Sequence, residues 1–83
     1  MINLERVINV FDKKTEKLIQ EVNIDNVNID ILKSIFSVNN DDPSMYDPYT
    51  IYKDEALALS VHLKSIILFD FENYSYQLDC YKV

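Results

Sequence analysis

The apolar positions of this chain change period along its length, and each period predicts an element. Val7, Ile8, Val10 and Phe11 load residues Leu4–Asp12; Leu18, Ile19, Val22 and Ile24 load Lys17–Ile24. Branched and aromatic side chains suit a pleated, half-buried surface. The polar run Asp12-Lys13-Lys14-Thr15-Glu16 between the arms marks a turn, so the stretch predicts a hairpin. Asn28 to Phe36 predicts a short helix. Ile29, Leu32, Ile35 and Phe36 share a face, Asn28 suits the N-cap, and Asp30 lies in the first turn.

Ser37 to Thr50 carries both prolines, each preceded by aspartate, and reads as a structured loop anchored by Met45, Tyr46 and Tyr49. From Ile51 to about Lys64, Tyr52, Ala56, Leu59 and Leu63 form one helical stripe, with Thr50 as the candidate cap. Ile66–Phe71 and Tyr74–Lys82 predict two last strands joined around Glu72-Asn73. In the second, Tyr74, Tyr76, Leu78 and Cys80 alternate with Ser75, Gln77 and Asp79. The order ββααββ predicts an α+β fold: a four-stranded antiparallel sheet with helices packed on one face, in a single domain over residues 1–83.

Composition narrows the picture. A chain of 83 residues supports one modest core with little room for a deep cavity. Its 48% hydrophobic content excludes wholesale disorder. Fourteen acidic residues against eight basic give a net charge of −6. That argues against nucleic acid as a ligand and for a basic partner, since opposite fields speed encounter and sharpen specificity. The chain has no glycine. Turns at positive φ are therefore expected to fall to Asn or Asp, and a glycine-rich phosphate loop is excluded. Cys80 is the one cysteine, so no intramolecular disulfide can form, which fits a reducing compartment. The N-terminal Met-Ile-Asn-Leu-Glu-Arg-Val lacks a signal-peptide pattern, and runs such as Ile66–Phe69 are too short to span a bilayer. The expected location is the cytoplasm, with no membrane contact.

Candidate chemistry is sparse. His62, the one histidine, has no accompanying motif and reads as an ordinary residue on or beside the second helix. Cys80 shares a strand face with Tyr76 and Leu78 and reads as a small buried hydrophobe; Asp79 beside it disfavours a thiolate. Asp41, Asp42 and Asp47 lack the spacing of a calcium loop and read as a solvated acidic loop. No pair of catalytic groups stands at a recognisable spacing, so an enzyme is not expected and no cofactor is implied. The sharper pattern is acidic and aromatic. Asp41, Asp42, Tyr46, Asp47 and Tyr49, followed by Asp54 and Glu55 at the start of the second helix, form the candidate partner-binding set. There acids would steer a partner and rings would supply contact area. The competing reading is that the rings only pin the loop.

Two motifs carry a resemblance. Val-Phe-Asp-Lys-Lys-Thr-Glu-Lys at Val10–Lys17, and the tyrosine-rich Glu72–Tyr81, resemble the cloacin-type immunity proteins that neutralise ribonuclease bacteriocins. The Asp-Lys-x-Thr hairpin, the loop Asn40–Tyr49 and the terminal Tyr-x-Tyr-x-Leu-x-Cys at Tyr74–Cys80 are also similar to a family of small bacterial proteins whose implied role is immunity, including in contact-dependent growth inhibition. The resemblance implies an immunity protein that binds a cognate bacterial toxin, a basic nuclease domain, and blocks it sterically and electrostatically. It would be a monomer or weak dimer when free. The alternative is a non-enzymatic adaptor or regulator that homodimerises through a sheet edge.

Overall fold

A computed structural model describes residues 3–64 and 66–82. The first hairpin lies where its pattern places it. Strand β1 (Leu4–Asp12) pairs antiparallel with β2 (Leu18–Asn23). The turn between them is built on Asp12, whose Oδ1 accepts from the amides of Lys14 (2.8 Å) and Thr15 (3.0 Å). Glu16, not an Asn or Asp, takes the positive φ there, at 61°. Asp12 already serves as the side-chain acceptor for the turn, so the left-handed residue falls at the position that closes back onto the Asp12 carbonyl (2.8 Å).

Helix α1 (Ile29–Ile35) is capped by Asn28, whose side chain accepts from the Ile31 amide at 3.0 Å. The expected long loop is interrupted by a two-residue strand, β3 (Tyr49–Thr50), ahead of helix α2 (Lys53–Ser60). Strand β4 (Tyr74–Lys82) closes the chain's order of elements. The sheet runs β2-β1-β4-β3, with each neighbouring pair antiparallel. The α+β architecture with four antiparallel strands holds, but the chain order is ββαβαβ rather than ββααββ.

The difference comes from competition for one edge. β1 covers one side of β4 from Leu4↔Lys82 to Asp12↔Tyr74. On the other side Tyr49 pairs with Leu78, Thr50 pairs with Gln77, and the Ile51 amide donates to the Tyr76 carbonyl (2.9 Å). Residues 66–71 are extended or turning but join no strand pair. They cross the core face instead. Phe69 and Phe71 meet the Tyr76 ring edge-on at 4.8 and 5.2 Å, and the Asp70 amide donates to the Tyr76 hydroxyl (2.8 Å). α2 is shorter than its stripe suggests. Its N-cap is Tyr52, not Thr50, because Thr50 is engaged in β3; Tyr52 is consequently exposed rather than part of the stripe. It ends where the Ser60 hydroxyl donates back to the Ala56 carbonyl.

The core lies on one face of the sheet. Ile8 and Val10 of β1, with Tyr76 and Leu78 of β4, pack with Leu32 and Phe36 of the α1 segment and with Ala56 and Leu59 of α2. Val7, Asn9 and Phe11 alternate onto the opposite, outer face, as do Gln77, Asp79 and Tyr81. β2 is an edge strand, and Leu18 and Ile19 are 49% and 51% exposed instead of buried. A register shift between Val10 and Phe11 breaks the ladder beside them, a common way of blunting a sheet edge. No helix among the described residues is long and apolar enough to cross a membrane.

Candidate partner-binding surfaces

The loop leading to β3 is organised by Asp42. The Asp42 amide donates to the Asn39 carbonyl (3.0 Å), and the Met45 amide donates to the Asp42 carbonyl (3.1 Å). The carboxylate then collects three donors: the Tyr46 amide (2.9 Å), the Asp47 amide (3.1 Å) and the Tyr49 hydroxyl (2.7 Å). Arg6 reaches across from β1 to donate to the Ser44 carbonyl at 2.8 Å. Burial opposes ionisation of Asp42, but the Tyr49 hydroxyl, the two amides and the nearby Arg6 charge together outweigh it and hold the carboxyl below its usual value of 3.8. The same burial and the Asp42 carboxylate push the Tyr49 hydroxyl up from 10.0. Met45 adopts φ 55°, which lets it enter the core while its neighbour Tyr46 turns outward, 56% exposed.

The seven sequence-derived positions therefore divide. Asp42 and Tyr49 are buried and spend their polar groups on each other and on the loop backbone. Glu55 is half-buried and accepts from the Tyr52 amide (2.9 Å), which caps α2. Asp41, Tyr46, Asp47 and Asp54 are exposed. They do not converge on one pocket. Glu55 shares a shallow groove with Phe36, Asn39 and Tyr49, whereas Tyr46 lies with Leu4, Cys80 and Lys82 near the end of β1 and β4. Tyr49 pins the loop, and Tyr46 is exposed on it.

The outer face of the sheet carries a polar cluster that the alternation pattern concealed. Asn9 is 2% exposed and Asp79 is 7% exposed. The Asn9 Nδ2 donates to Asp79 Oδ2 and, at 2.6 Å, to the Tyr81 hydroxyl. Gln77 Nε2 donates to both Asp79 oxygens, at 2.9 and 3.1 Å. Asn9 Oδ1 is buried with no hydrogen-bond partner. In sequence Asp79 reads as one of a solvent-facing set with Ser75 and Gln77. The available signal was Asn9, a lone amide inside the most apolar arm of the chain.

The other chemistry-bearing residues stand apart. His62 is exposed in the turn after α2, where its carbonyl accepts from Asn26. Cys80 is half-buried opposite Arg6 in the β1–β4 ladder. Among the described residues no three His, Cys, Asp or Glu side chains are grouped to hold a metal ion.

The family described as a domain of unknown function, DUF7683, matches residues 5–79, from the start of β1 into β4. The chain belongs to that family. No curated protein and no solved structure matches it. In this DUF7683 domain the match spans the Asp42 loop and, apart from Tyr81, the whole outer-face cluster, so both surfaces lie within the family's own boundaries.

Proposed function

We propose that this DUF7683 domain is an immunity-type inhibitor: a non-enzymatic cytoplasmic protein that binds one basic toxin domain, a nuclease, and blocks it by bulk and charge. The observation that carries the reading is how the acids are served. The side chains of Arg6 and Lys13 donate to backbone carbonyls, of Ser44 and Phe71. Asp25, Asp42, Asp70 and Asp79 draw their hydrogen bonds from amides and a hydroxyl. The chain carries a net charge of −6, and its exposed acids, Asp41, Asp47 and Asp54 among them, set the surface field. A nuclease that grips nucleic acid carries a complementary basic groove.

The test is calorimetric titration of the protein into a toxin domain encoded beside it, where the neighbouring gene encodes one, with a nuclease assay alongside. Nanomolar binding with loss of activity is the expected result; no binding removes the reading. Replacing Asp47 and Asp54 by Asn should slow association several-fold at low salt and little at high salt, in stopped-flow measurements. Asp42 is left intact because its loss would loosen the loop as well.

One observation favours the second reading, an adaptor that homodimerises through a sheet edge. β2 presents half-exposed Leu18 and Ile19 along an open edge. Sizing across a range of concentrations separates the two: self-association without a heterologous partner would put the dimer first.

A further inference from the structure

The Asp42 loop drew attention in sequence, but its carboxylate is already satisfied. The outer face of the sheet is not. Across β2, β1 and β4, Glu21 stands opposite Asn9, and Asn9 opposite Gln77; in the next row on this face the buried Val7 stands between Asn23 and Asp79, and in the row beyond it Glu5 stands opposite Tyr81. Asp79 lies diagonal to Asn9 within this patch. The patch holds three acids and no base at these positions. Both helices pack on the opposite face, so neither covers it.

Two independent features point to a missing cation. Asp79 is buried, yet among the described residues its donors are the neutral amides of Asn9 and Gln77, which orient the carboxylate without balancing its charge. The Asn9 carboxamide spends both nitrogen contacts on Asp79 and Tyr81 and leaves its buried Oδ1 with no donor. A carboxylate beside an unmet carbonyl oxygen is a demand for N–H groups that carry positive charge. Tyr81, 38% exposed, is the most exposed member of the cluster, and Gln77 is half-buried, so the site meets solvent at these two side chains.

We propose that this face is the docking surface for an arginine of a basic partner protein, whose guanidinium donates to the Asp79 carboxylate and to Asn9 Oδ1. A guanidinium fits better than an ammonium because its planar fork offers several donors in fixed directions. Glu5 and Glu21 at the rim steer it in. The inference deepens the reading of the domain as an acidic inhibitor by naming its contact face and the side chain it accepts.

The test uses the isotope-labelled full chain and a short arginine–glycine peptide as probe, with the peptide in which citrulline replaces arginine as the neutral control. The arginine peptide should shift the side-chain amide signals of Asn9 and Gln77 saturably. Citrulline should shift them at least about tenfold more weakly, and Asp79→Asn should abolish the response. Should Asp79→Asn fail to fold, the arginine–citrulline contrast in the unaltered protein still decides. No saturable shift, equal shifts with both peptides, or shifts centred on Asp41, Asp47 and Asp54 would overturn the assignment. The same spectra recorded with a basic nuclease domain encoded beside this chain separate the two levels. Tight binding with shifts confined to the loop removes the face and leaves the inhibitor reading. An arginine peptide seated at Asn9 with no toxin binding does the reverse.

Discussion

Among the described residues of this glycine-free chain, Glu16 and Met45 occupy the left-handed region. Each bears a Cβ that disfavours the conformation by roughly 1–2 kcal/mol. At Glu16, exposed on the hairpin turn, glycine would relieve that cost and give back about 0.5–1 kcal/mol of chain entropy. Glu16→Gly should therefore stabilise the fold by about 0.5–1 kcal/mol, read as a higher urea midpoint at unchanged slope. Met45 is different, because its side chain is in the core and glycine there would leave a cavity. Asp42 sets an acid limit. Its carboxyl titrates below 3.8 in the folded chain and near the ordinary value when unfolded. Between the two, the unfolded chain holds the extra proton, so stability rises with pH. The contribution is complete above the unfolded value and lost as pH falls through the depressed one. Thermal melts below pH 5 should show a shallower acid loss for Asp42→Asn, with a residue of slope from Asp70, which is lowered in the same direction by its hydrogen bond to Asn73. At this scale the sequence disclosed which residues were unusual but not which way they faced. Asp42 reads as a surface acid and is a buried loop organiser. Asp79 reads as a solvent-side position of an alternating strand and is buried too, with Asn9 and Gln77 bonded to it and Val7 opposite it.

The elements with strong local signals were legible. α1 begins at its N-cap because Asn28 supplies the acceptor that the first turn lacks; Asn28→Ala should cost about 1 kcal/mol by chemical denaturation. β1, β2 and β4 follow from dense branched and aromatic content. α2 was legible as a helix but not in its length, and only part of its stripe is core. Leu59→Ala should cost about 2–5 kcal/mol, while Leu57→Ala, on the exposed side, should stay within about 0.5 kcal/mol. Equal losses at the two positions would contradict the burial. The exchange of roles between residues 66–71 and Tyr49–Thr50 could not be read locally. Ile66–Phe71 alternates as a strand should, with Ile66 and Leu68 outward at 90% and 87% exposure and Ile67 and Phe69 packed on the core. Alternation specifies which side chains turn inward; it does not specify which backbone wins the open edge of β4.

For the molecule as a whole, charge and topology act separately. The net charge of −6 says nothing about the fold but governs encounter. If the partner is basic, raising salt should lower the association rate far more than the dissociation rate, in surface-binding kinetics. The topology has a different consequence. The nine-residue ladder that joins Leu4 to Lys82 places the last element of the order at the centre of the sheet, between β1 and β3. On the ribosome, β1 and β2 emerge early as a lone hairpin, which is marginal in water, and the helices emerge with only half a surface to cover. The chain is committed to waiting: its first and last strands must find each other across nearly the full length before the core closes, a slow, non-local step. Folding is therefore timed by the emergence of β4 rather than spread along the elements that precede it.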